Sequence, residues 1–128
     1  MCKKTKFNHI ALQCKDRNKA KIFYSEILGL YLEKSFTLDS DLSNEIFGIN
    51  KKVDVDVYSN ETLKFELFFD EVLKNQGFVH YCIEIESKIK FISKCKKYDV
   101  KTKIIDKNGK KLLFVNDFSN NLFEIKEA

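Results

Sequence analysis

The chain has 128 residues, of which 44% are hydrophobic and 33% charged, and its formal net charge is +4. A chain of this length suits one domain, residues 1 to 128, with a real hydrophobic core and no second independent domain. The positive charge comes from lysines scattered along the sequence, and Arg17 is the only arginine. Because bidentate contacts to phosphate and guanine favour arginine, this composition argues against nucleic-acid binding.

Targeting signals and cysteines point to an interior compartment. No stretch reaches the roughly 20 apolar residues of a membrane helix, and no apolar run of a signal peptide follows the basic N-terminus. The sequence contains four cysteines that form no CxxC pair: Cys2, Cys14, Cys82 and Cys95. In a chain without an export signal, free thiols are the simplest interpretation. We therefore expect a cytoplasmic protein without a membrane partner.

The first predicted elements are a strand over residues 6 to 13 and a helix over residues 17 to 28. Apolar residues recur at helical spacing through the helix. Asp16 is a suitable N-cap, and Gly29 is placed to end the helix. A second strand follows over residues 30 to 36.

Residues 39 to 49 suit a short helix that stops at Gly48, because their apolar residues follow helical spacing. Residues 53 to 58 alternate between apolar and polar positions and predict a third strand. After a turn, residues 63 to 69 predict a fourth. This half of the chain therefore has the order strand, helix and three strands.

The second half repeats this order after a linker over residues 70 to 76 that could be partly helical. A strand over residues 78 to 86 precedes a helix over residues 88 to 98. Three further strands are predicted near residues 100 to 106, 110 to 116 and 121 to 126. The Asn-Gly pair at 108 and 109 predicts a tight hairpin between the strands near residues 100 to 106 and 110 to 116.

Two short stretches of the sequence echo each other around its two histidines, His9 and His80. Each has a Phe two residues before the His and an aliphatic residue three after it. The order βαβββ is thus written twice, over about residues 6 to 70 and 77 to 127. We therefore predict an α+β fold built from tandem βαβββ units.

Strand alternation places both histidines on the polar faces of their strands. His9 shares its face with Gln13, and His80 shares its face with Cys82 and Glu84. These neighbours, together with Lys64, are candidates for shaping specificity. Each of them would equally suit a solvated strand end.

The last strand of each unit carries a glutamate inside an apolar run, Glu66 in the first unit and Glu124 in the second. If the sheets curl toward each other, these carboxylates converge with His9 and His80. Two imidazole nitrogens and two carboxylate oxygens suit Zn, Ni, Co, Mn or Fe(II), with positions left for water and a chelating substrate. A lone strand histidine is more often hydrogen-bonded structure, but matched positions in two copies favour a metal site.

Three stretches of the sequence carry a family resemblance: FNHIAL over residues 7 to 12, KAKIFYSEILGL over 19 to 30, and LFVNDFSNNLFEI over 113 to 125. With them the chain resembles the vicinal oxygen chelate superfamily, which includes glyoxalase I, methylmalonyl-CoA epimerase, fosfomycin-resistance enzymes, extradiol dioxygenases and bleomycin-resistance proteins. The resemblance implies tandem βαβββ modules that form a curved mixed sheet around a metal-binding cleft. The family's late Asp-Pro-x-Gly-Asn turn lacks its proline and glycine here.

The resemblance also implies a ligand set. His9, Glu66, His80 and Glu124 stand at the four metal-ligand positions of glyoxalase I, which makes Zn or Ni the expected metal. Glu124 and Glu66 become the candidates for the catalytic base. Glyoxalase I holds glutathione with an Arg and an Asn, and Gln13 and Asp70 replace them in this sequence. We therefore do not expect glutathione as the substrate.

The implied function is that of a metal-dependent lyase or isomerase that stabilises an enediolate and transfers a proton through a carboxylate of the metal site. One alternative is a non-catalytic small-molecule binding or antibiotic-resistance module, and another is a dioxygenase or fosfomycin-type enzyme. The expected partners are a small-molecule substrate and a second copy of the chain. A homodimer would cover exposed sheet edges, and its sites would lie within one chain or across the two.

Overall fold

The computed structural model of the protein describes residues 5–72, called the first unit, and residues 77–128, called the second unit. The first unit contains β1 (Ile10–Cys14), α1 (Arg17–Lys21), a π-helical segment (Ile22–Ile27), β2 (Tyr31–Leu38), α2 (Ser40–Phe47), β3 (Val53–Ser59) and β4 (Lys64–Phe69). The second unit contains β5 (Tyr81–Ile85), α3 (Lys88–Lys97), β6 (Thr102–Lys107), β7 (Lys110–Asn116) and β8 (Leu122–Glu127). The linker predicted over residues 70 to 76 lies mostly outside the described residues.

Each unit forms its own four-stranded sheet, and the two sheets share one topology. The strand orders are β1-β4-β3-β2 and β5-β8-β7-β6. In each sheet the first strand pairs in parallel with the last, and the remaining pairs are antiparallel. The predicted α+β fold with tandem βαβββ modules is therefore confirmed.

The helix boundaries follow the local signals in the sequence. Asp16 caps α1 by accepting a hydrogen bond from the Lys19 amide at 3.0 Å. The helix continues to residue 27 but widens after Lys21, and the Leu28 amide donates to the Phe23 carbonyl at 2.9 Å, five residues back. Gly29 then leaves the helix with a φ of 75°, as its predicted capping role requires.

Both histidine-bearing strands start later than the sequence pattern predicts. The predicted strands over 6 to 13 and 78 to 86 begin at Ile10 and Tyr81, because their parallel ladders start where β4 and β8 supply partners. Each histidine therefore stands one residue before its strand. The phenylalanines that precede them are correspondingly open, with Phe7 90% and Phe78 100% exposed.

The two units share one hydrophobic core. Phe23 and Tyr24 of the π-helical segment are fully buried, and the Tyr24 ring contacts both sheets. The Tyr24 ring lies 5.7 Å from Phe65 on β4 and 6.2 Å from Phe123 on β8, measured between ring centroids. Aromatic pairs of this kind add roughly 0.5–1.5 kcal/mol each beyond their burial. Each sheet therefore turns its apolar face toward this core and its polar face away from it.

A buried polar network, called the clasp, also joins the units through Tyr24, Asp117, Ser119 and Asn121. The Tyr24 hydroxyl donates to Asp117 Oδ2 at 2.7 Å. Asp117 Oδ1 accepts from the amides of Ser119 and Asn121 at 2.8 and 2.9 Å. Across the units, the Asn121 side-chain amide donates to the Gln13 carbonyl at 3.0 Å. The clasp satisfies polar groups that would otherwise be costly to bury.

Residues 117 to 121 form the loop of this network, called the clasp loop. It adopts its turn without the glycine of the pattern that it resembles, because Asn120 takes a φ of 67°, which asparagine tolerates better than most residues. Asp117 also affects the buried groups around it. Burial, reinforced by the nearby Asp117 charge, raises the pKa of the Cys14 thiol and of the Tyr24 hydroxyl well above their usual values. Both groups therefore remain neutral and structural.

Cys14 and Cys95 are buried thiols and Cys82 is an exposed one, and all three are free. Burial raises the pKa of Cys95 to about 11. Cys2 lies outside the described residues. In the parts of the chain that the structure covers, no helix is long and apolar enough to cross a membrane.

Candidate functional site

His9 and Glu66 meet on the polar face of the first sheet. The Nε2 atom of His9 lies 3.3 Å from Oε1 of Glu66, and the two side chains are 37% and 20% exposed. The parallel register that pairs Ala11 with Glu66 produces this contact, because His9 precedes Ala11 by two residues on the same face. The structure thus joins two of the four predicted metal ligands.

Asn8 determines which nitrogen of His9 faces Glu66. The Nδ1 atom of His9 lies 2.8 Å from Oδ1 of Asn8. An amide oxygen only accepts, so His9 donates from Nδ1, and its Nε2 atom faces the Glu66 carboxylate. Two acceptors at this distance need a proton or a cation between them. A metal-binding histidine typically has this arrangement, with one ring nitrogen hydrogen-bonded and the other left for the metal.

His80 repeats this arrangement in the second unit. Its Nδ1 atom lies 2.9 Å from the carbonyl oxygen of Phe78, which only accepts. His80 therefore also donates from Nδ1 and keeps Nε2 for a ligand. Each histidine stands one residue before its strand and has an oxygen acceptor beside Nδ1, supplied by a side chain for His9 and by the backbone for His80.

Glu124 lies in the middle of β8 on the polar face of the second sheet. In register it stands opposite Cys82 on β5 and Phe114 on β7. Glu124 is half-buried, whereas its neighbours Phe123 and Ile125 are buried in the core. The alternation predicted from the sequence is therefore present around this carboxylate.

The structure brings together one pair of the predicted ligands. Within residues 5–72 and 77–128, no three His, Cys, Asp or Glu side chains form a group that could hold a metal ion. The donor chemistry of the His9 and Glu66 pair, an imidazole nitrogen and a carboxylate oxygen, fits a divalent transition metal. The full set of His9, Glu66, His80 and Glu124 stays a prediction.

The other residues predicted to shape the polar faces differ in their surroundings. Lys64 is held by Glu33, with its Nζ atom 3.4 Å from Oε1. Cys82 and Glu84 are exposed on β5. The Gln13 side-chain amide donates to the carbonyl of Val72.

The expected charge of Asp70 is balanced by a lysine. Lys51 Nζ lies 2.9 Å from Asp70 Oδ1, and this hydrogen bond lowers the pKa of the Asp70 carboxyl. Asp70 therefore does not present an isolated negative charge to a ligand. The sequence does not indicate this pair, because Lys51 precedes β3 and Asp70 follows β4. The two residues come together only through the tertiary fold.

A cavity of about 210 Å³ is lined by Ala11 and Phe68, which stand two residues along the chain from His9 and Glu66. It is called the α2 cavity, and α2 and the polar face of the first sheet form its walls. Residues lining it include Ala11, Gln13, Ser43, Phe47, Val53 and Phe68. The sequence showed the apolar residues of α2 but not which of them would face the sheet.

Solved structures with the same fold include two proteins of different description. The fosfomycin resistance protein FosX from Listeria monocytogenes matches with a TM-score of 0.74 at 18% identity, over 98% of this chain and 95% of that one. A glyoxalase family protein from Bacillus cereus matches with a TM-score of 0.76 at 13% identity, over 98% and 95% of the two chains. A variant of FosX complexed with Mn(II) and 1S,2S-dihydroxypropylphosphonic acid matches with a TM-score of 0.74 at 20% identity, over 97% and 93%.

No curated protein shows significant similarity to the chain. A family model, in contrast, matches residues 6–125, which include both histidines, the clasp loop and both sheets except for the last two residues of β8. The match spans the two units in the order that the structure shows. The chain therefore belongs to the glyoxalase/bleomycin resistance protein/dioxygenase superfamily.

Proposed function

We propose that this protein is a metal-dependent lyase or isomerase that acts on a small oxygenated substrate. The observation that carries the proposal is the common position of the two Nδ1 atoms of His9 and His80, each beside an oxygen acceptor at 2.8 or 2.9 Å. In both cases Nε2 is left for a ligand, and in His9 it faces Glu66.

His9, Glu66, His80 and Glu124 would hold the metal, with Zn or Ni preferred over Co, Mn or Fe(II). When bound, such a metal stabilises the negative charge that develops on substrate oxygens as a proton leaves the adjacent carbon. Glu66 and Glu124 supply the carboxylate that accepts this proton. The half-buried strand positions of both glutamates orient the carboxylates and limit their access to water.

The protein acts as a homodimer in this proposal, with each site shared between two copies. Support comes from the core, because Phe65 on β4 and Phe123 on β8 have ring centroids 5.9 Å apart there, so Glu66 and Glu124 face away from that common interior. A second copy would bring the polar face of its second sheet onto the first sheet. The edge strand β2 also leaves Tyr31 76% exposed, which a partner would cover.

Metal binding by Glu124→Gln tests the ligand set. The substitution keeps the shape of the side chain and removes its charge, so we expect metal affinity to fall by at least about tenfold and proton transfer to be lost. Glu26→Gln, at an exposed carboxylate of the π-helical segment, is the matched control. Titration calorimetry with Zn, Ni and Mn measures the affinities. Equal affinities for both variants and the parent would contradict the proposal.

Complementation between two inactive variants tests the shared site. One variant carries His9→Ala and Glu66→Gln, and the other carries His80→Ala and Glu124→Gln. A purified heterodimer regains one intact site if ligands combine across copies, and none if they combine within a chain. We expect one tightly bound metal per heterodimer by elemental analysis, and little in either homodimer. A heterodimer without metal would exclude the shared site.

Fosfomycin-type chemistry is the second candidate function. The FosX structures supply a specific reason, since one of them holds Mn(II) and a phosphonic acid. In this chain a cavity of about 220 Å³ at the end of the second sheet is lined by Glu124 together with Lys110 and Lys126. Ammonium groups beside a predicted ligand would suit a phosphonate.

Two assays on one metal-loaded preparation separate these functions. A solvent deuterium exchange screen over 2-oxo thioesters and hemithioacetals reports removal of a proton next to a carbonyl. Phosphorus NMR of fosfomycin, with and without added thiols, reports modification of the antibiotic. We expect exchange in the first assay, because Glu66 supplies a fourth ligand where fosfomycin-type enzymes usually use three. Conversion of fosfomycin without any exchange would replace the first candidate with the second.

A further inference from the structure

The α2 cavity shares a wall with the predicted metal site. Ala11 lines the cavity and pairs in register with Glu66, and Gln13 pairs with Phe68 in the same way. Residues two apart on a strand are separated by about 6.6 Å along it, so the cavity begins within one small-molecule length of His9. A ligand that reached the metal position would therefore have this cavity beside it.

The walls of the α2 cavity are mainly apolar. Phe47 of α2 packs against Phe68 of β4, with ring centroids 5.5 Å apart and planes at 78°. Val53, at the start of β3, closes the side of the cavity. These three residues offer a ligand contact surface without charge.

Three polar side chains at the cavity, those of Gln13, Lys51 and Asp70, already have hydrogen-bond partners. Lys51 and Asp70 form an ion pair at 2.9 Å, and the Gln13 amide donates to the Val72 carbonyl. A charged ligand would have to compete with these contacts, whereas an apolar group leaves them intact. The charges therefore favour an uncharged, apolar occupant.

The size of the cavity sets the size of that occupant. A protein cavity of about 150 Å³ lined by apolar side chains accepts benzene. The α2 cavity, at about 210 Å³, is larger by several carbon atoms. It therefore accommodates a phenyl ring or a branched alkyl chain of similar volume.

We infer that the substrate carries an aromatic or branched alkyl group, which lies between α2 and the first sheet while two oxygens on the same molecule reach the site at His9 and Glu66. The placement of the two oxygens rests on the proposed function, whereas the binding of an apolar group in the cavity does not. α2 is thus the element that selects the substrate. Phe47, Phe68 and Val53 determine which groups fit.

Three variants test the inference. Val53→Phe places a ring inside the cavity and should fill it. Phe47→Ala removes one wall and serves if the filled variant fails to fold. Ile46→Ala is the matched control, since Ile46 neighbours Phe47 on α2, is 58% exposed and does not line the cavity. Circular dichroism and thermal unfolding confirm that each variant is folded.

The first measurement uses metal-free protein and benzyl alcohol as an apolar probe. We expect the probe to shift the NMR signals of the Ala11 methyl and the Phe68 ring in the parent and in Ile46→Ala. The shifts should disappear in Val53→Phe and weaken severalfold in Phe47→Ala. If benzyl alcohol leaves these signals unchanged in the parent, the inference is overturned, whether or not the protein binds a metal.

The second measurement uses Mn(II)-loaded protein with benzohydroxamate and acetohydroxamate, which chelate equally through two oxygens and differ in the apolar group. Burial of a phenyl ring should make benzohydroxamate bind tighter by about tenfold or more in the parent and in Ile46→Ala. The ratio should approach one in Val53→Phe. An equal affinity for both probes in the parent would overturn the link between cavity and substrate. Failure to load Mn(II), Zn or Ni, with benzyl alcohol still bound, would contradict the proposed function and the chelating substrate together.

Discussion

The two units differ most in the connection between the second and third strands of each sheet. In the first unit α2 fills this connection and covers part of the polar face. In the second unit Asn108 and Gly109 form a tight turn, with φ values of 52° and 80°, and part of the face stays open around Phe114 and Glu124. The repeated scaffold thus places the proposed ligands at matching positions in both units, while α2, the proposed selector of the substrate, is present in the first unit alone.

The connection between the third and fourth strands differs as well. In the first unit it is an exposed turn in which Asn60 accepts hydrogen bonds from the amides of Thr62 and Leu63. In the second unit it is the buried clasp loop around Asp117. One loop closes only its own sheet, whereas the other holds the two units together.

The largest expected effect comes from breaking the clasp. Asp117→Ala leaves the buried Tyr24 hydroxyl and the Asn121 amide without their carboxylate, which should lower the free energy of unfolding by about 3 kcal/mol. Asn60→Ala removes the corresponding side chain of the exposed turn and should cost about 0.5–1 kcal/mol. Urea unfolding measures both. Similar losses for the two variants would show that the clasp is no more than a local turn.

The support of the two histidines provides the next prediction. Asn8→Ala removes the acceptor that orients His9, and losing such a partner typically costs about 10- to 100-fold in metal affinity. No substitution removes the Phe78 carbonyl that supports His80. Asn18→Ala, at an exposed residue of α1, is the control, and titration calorimetry gives the affinities. Unchanged affinity in Asn8→Ala would mean that His9 does not depend on its neighbour for orientation.

A smaller effect is expected at Gly48, which ends α2 with a φ of 70°. An added Cβ meets no atom within 4 Å, so Gly48→Ala should cost only the conformational penalty, about 1 kcal/mol. Because α2 would fray, benzyl alcohol should also bind the α2 cavity more weakly. Gly109→Ala carries the same penalty at the hairpin of the second unit and should leave probe binding unchanged. Equal binding of benzyl alcohol to both variants would show that the C-terminal end of α2 does not influence the cavity.

The smallest expected effect concerns the ion pair at the cavity mouth. Lys51 lowers the pKa of Asp70, so the pair stabilises the protein above the ordinary carboxyl pKa of about 3.9, and this contribution is lost as the pH falls through the lowered value. An exposed pair of this kind contributes less than about 1 kcal/mol. The difference in stability between the parent and Asp70→Asn should therefore be present at pH 7 and decrease as the pH falls below the ordinary carboxyl pKa. A difference that does not change with pH would exclude the ion pair as its source.

The order of elements was predictable because its signals are local. Asp16, Gly29 and Gly48 mark helix ends, and the Asn108 and Gly109 pair marks a hairpin, whatever the rest of the chain does. The starts of β1 and β5 were not predictable, since the lengths of β4 and β8 determine them. Tertiary folding likewise decides which face of α2 covers the sheet.

The candidate site likewise has features that follow from local sequence and features that depend on tertiary folding. The polar positions of Glu66 and Glu124 follow from alternation along a strand, and the structure shows both opposite buried neighbours. The Nδ1 atoms of His9 and His80 each contact an acceptor within two residues along the chain, but only coordinates identify these atoms. The partner of Asp70 comes from a distant connection, and no periodicity could have indicated Lys51.

The clasp also has a consequence for how the chain folds during synthesis. Tyr24 and Asp117 are 93 residues apart, so their hydrogen bond closes one of the longest loops in the molecule. The ribosome releases the first unit well before Asp117 exists, and until then the rings of Tyr24 and Phe65 lack the aromatic cover that Phe123 later supplies. We therefore expect the first unit to emerge as an aggregation-prone intermediate. Its folding should be completed only when residues 117 to 128 become available.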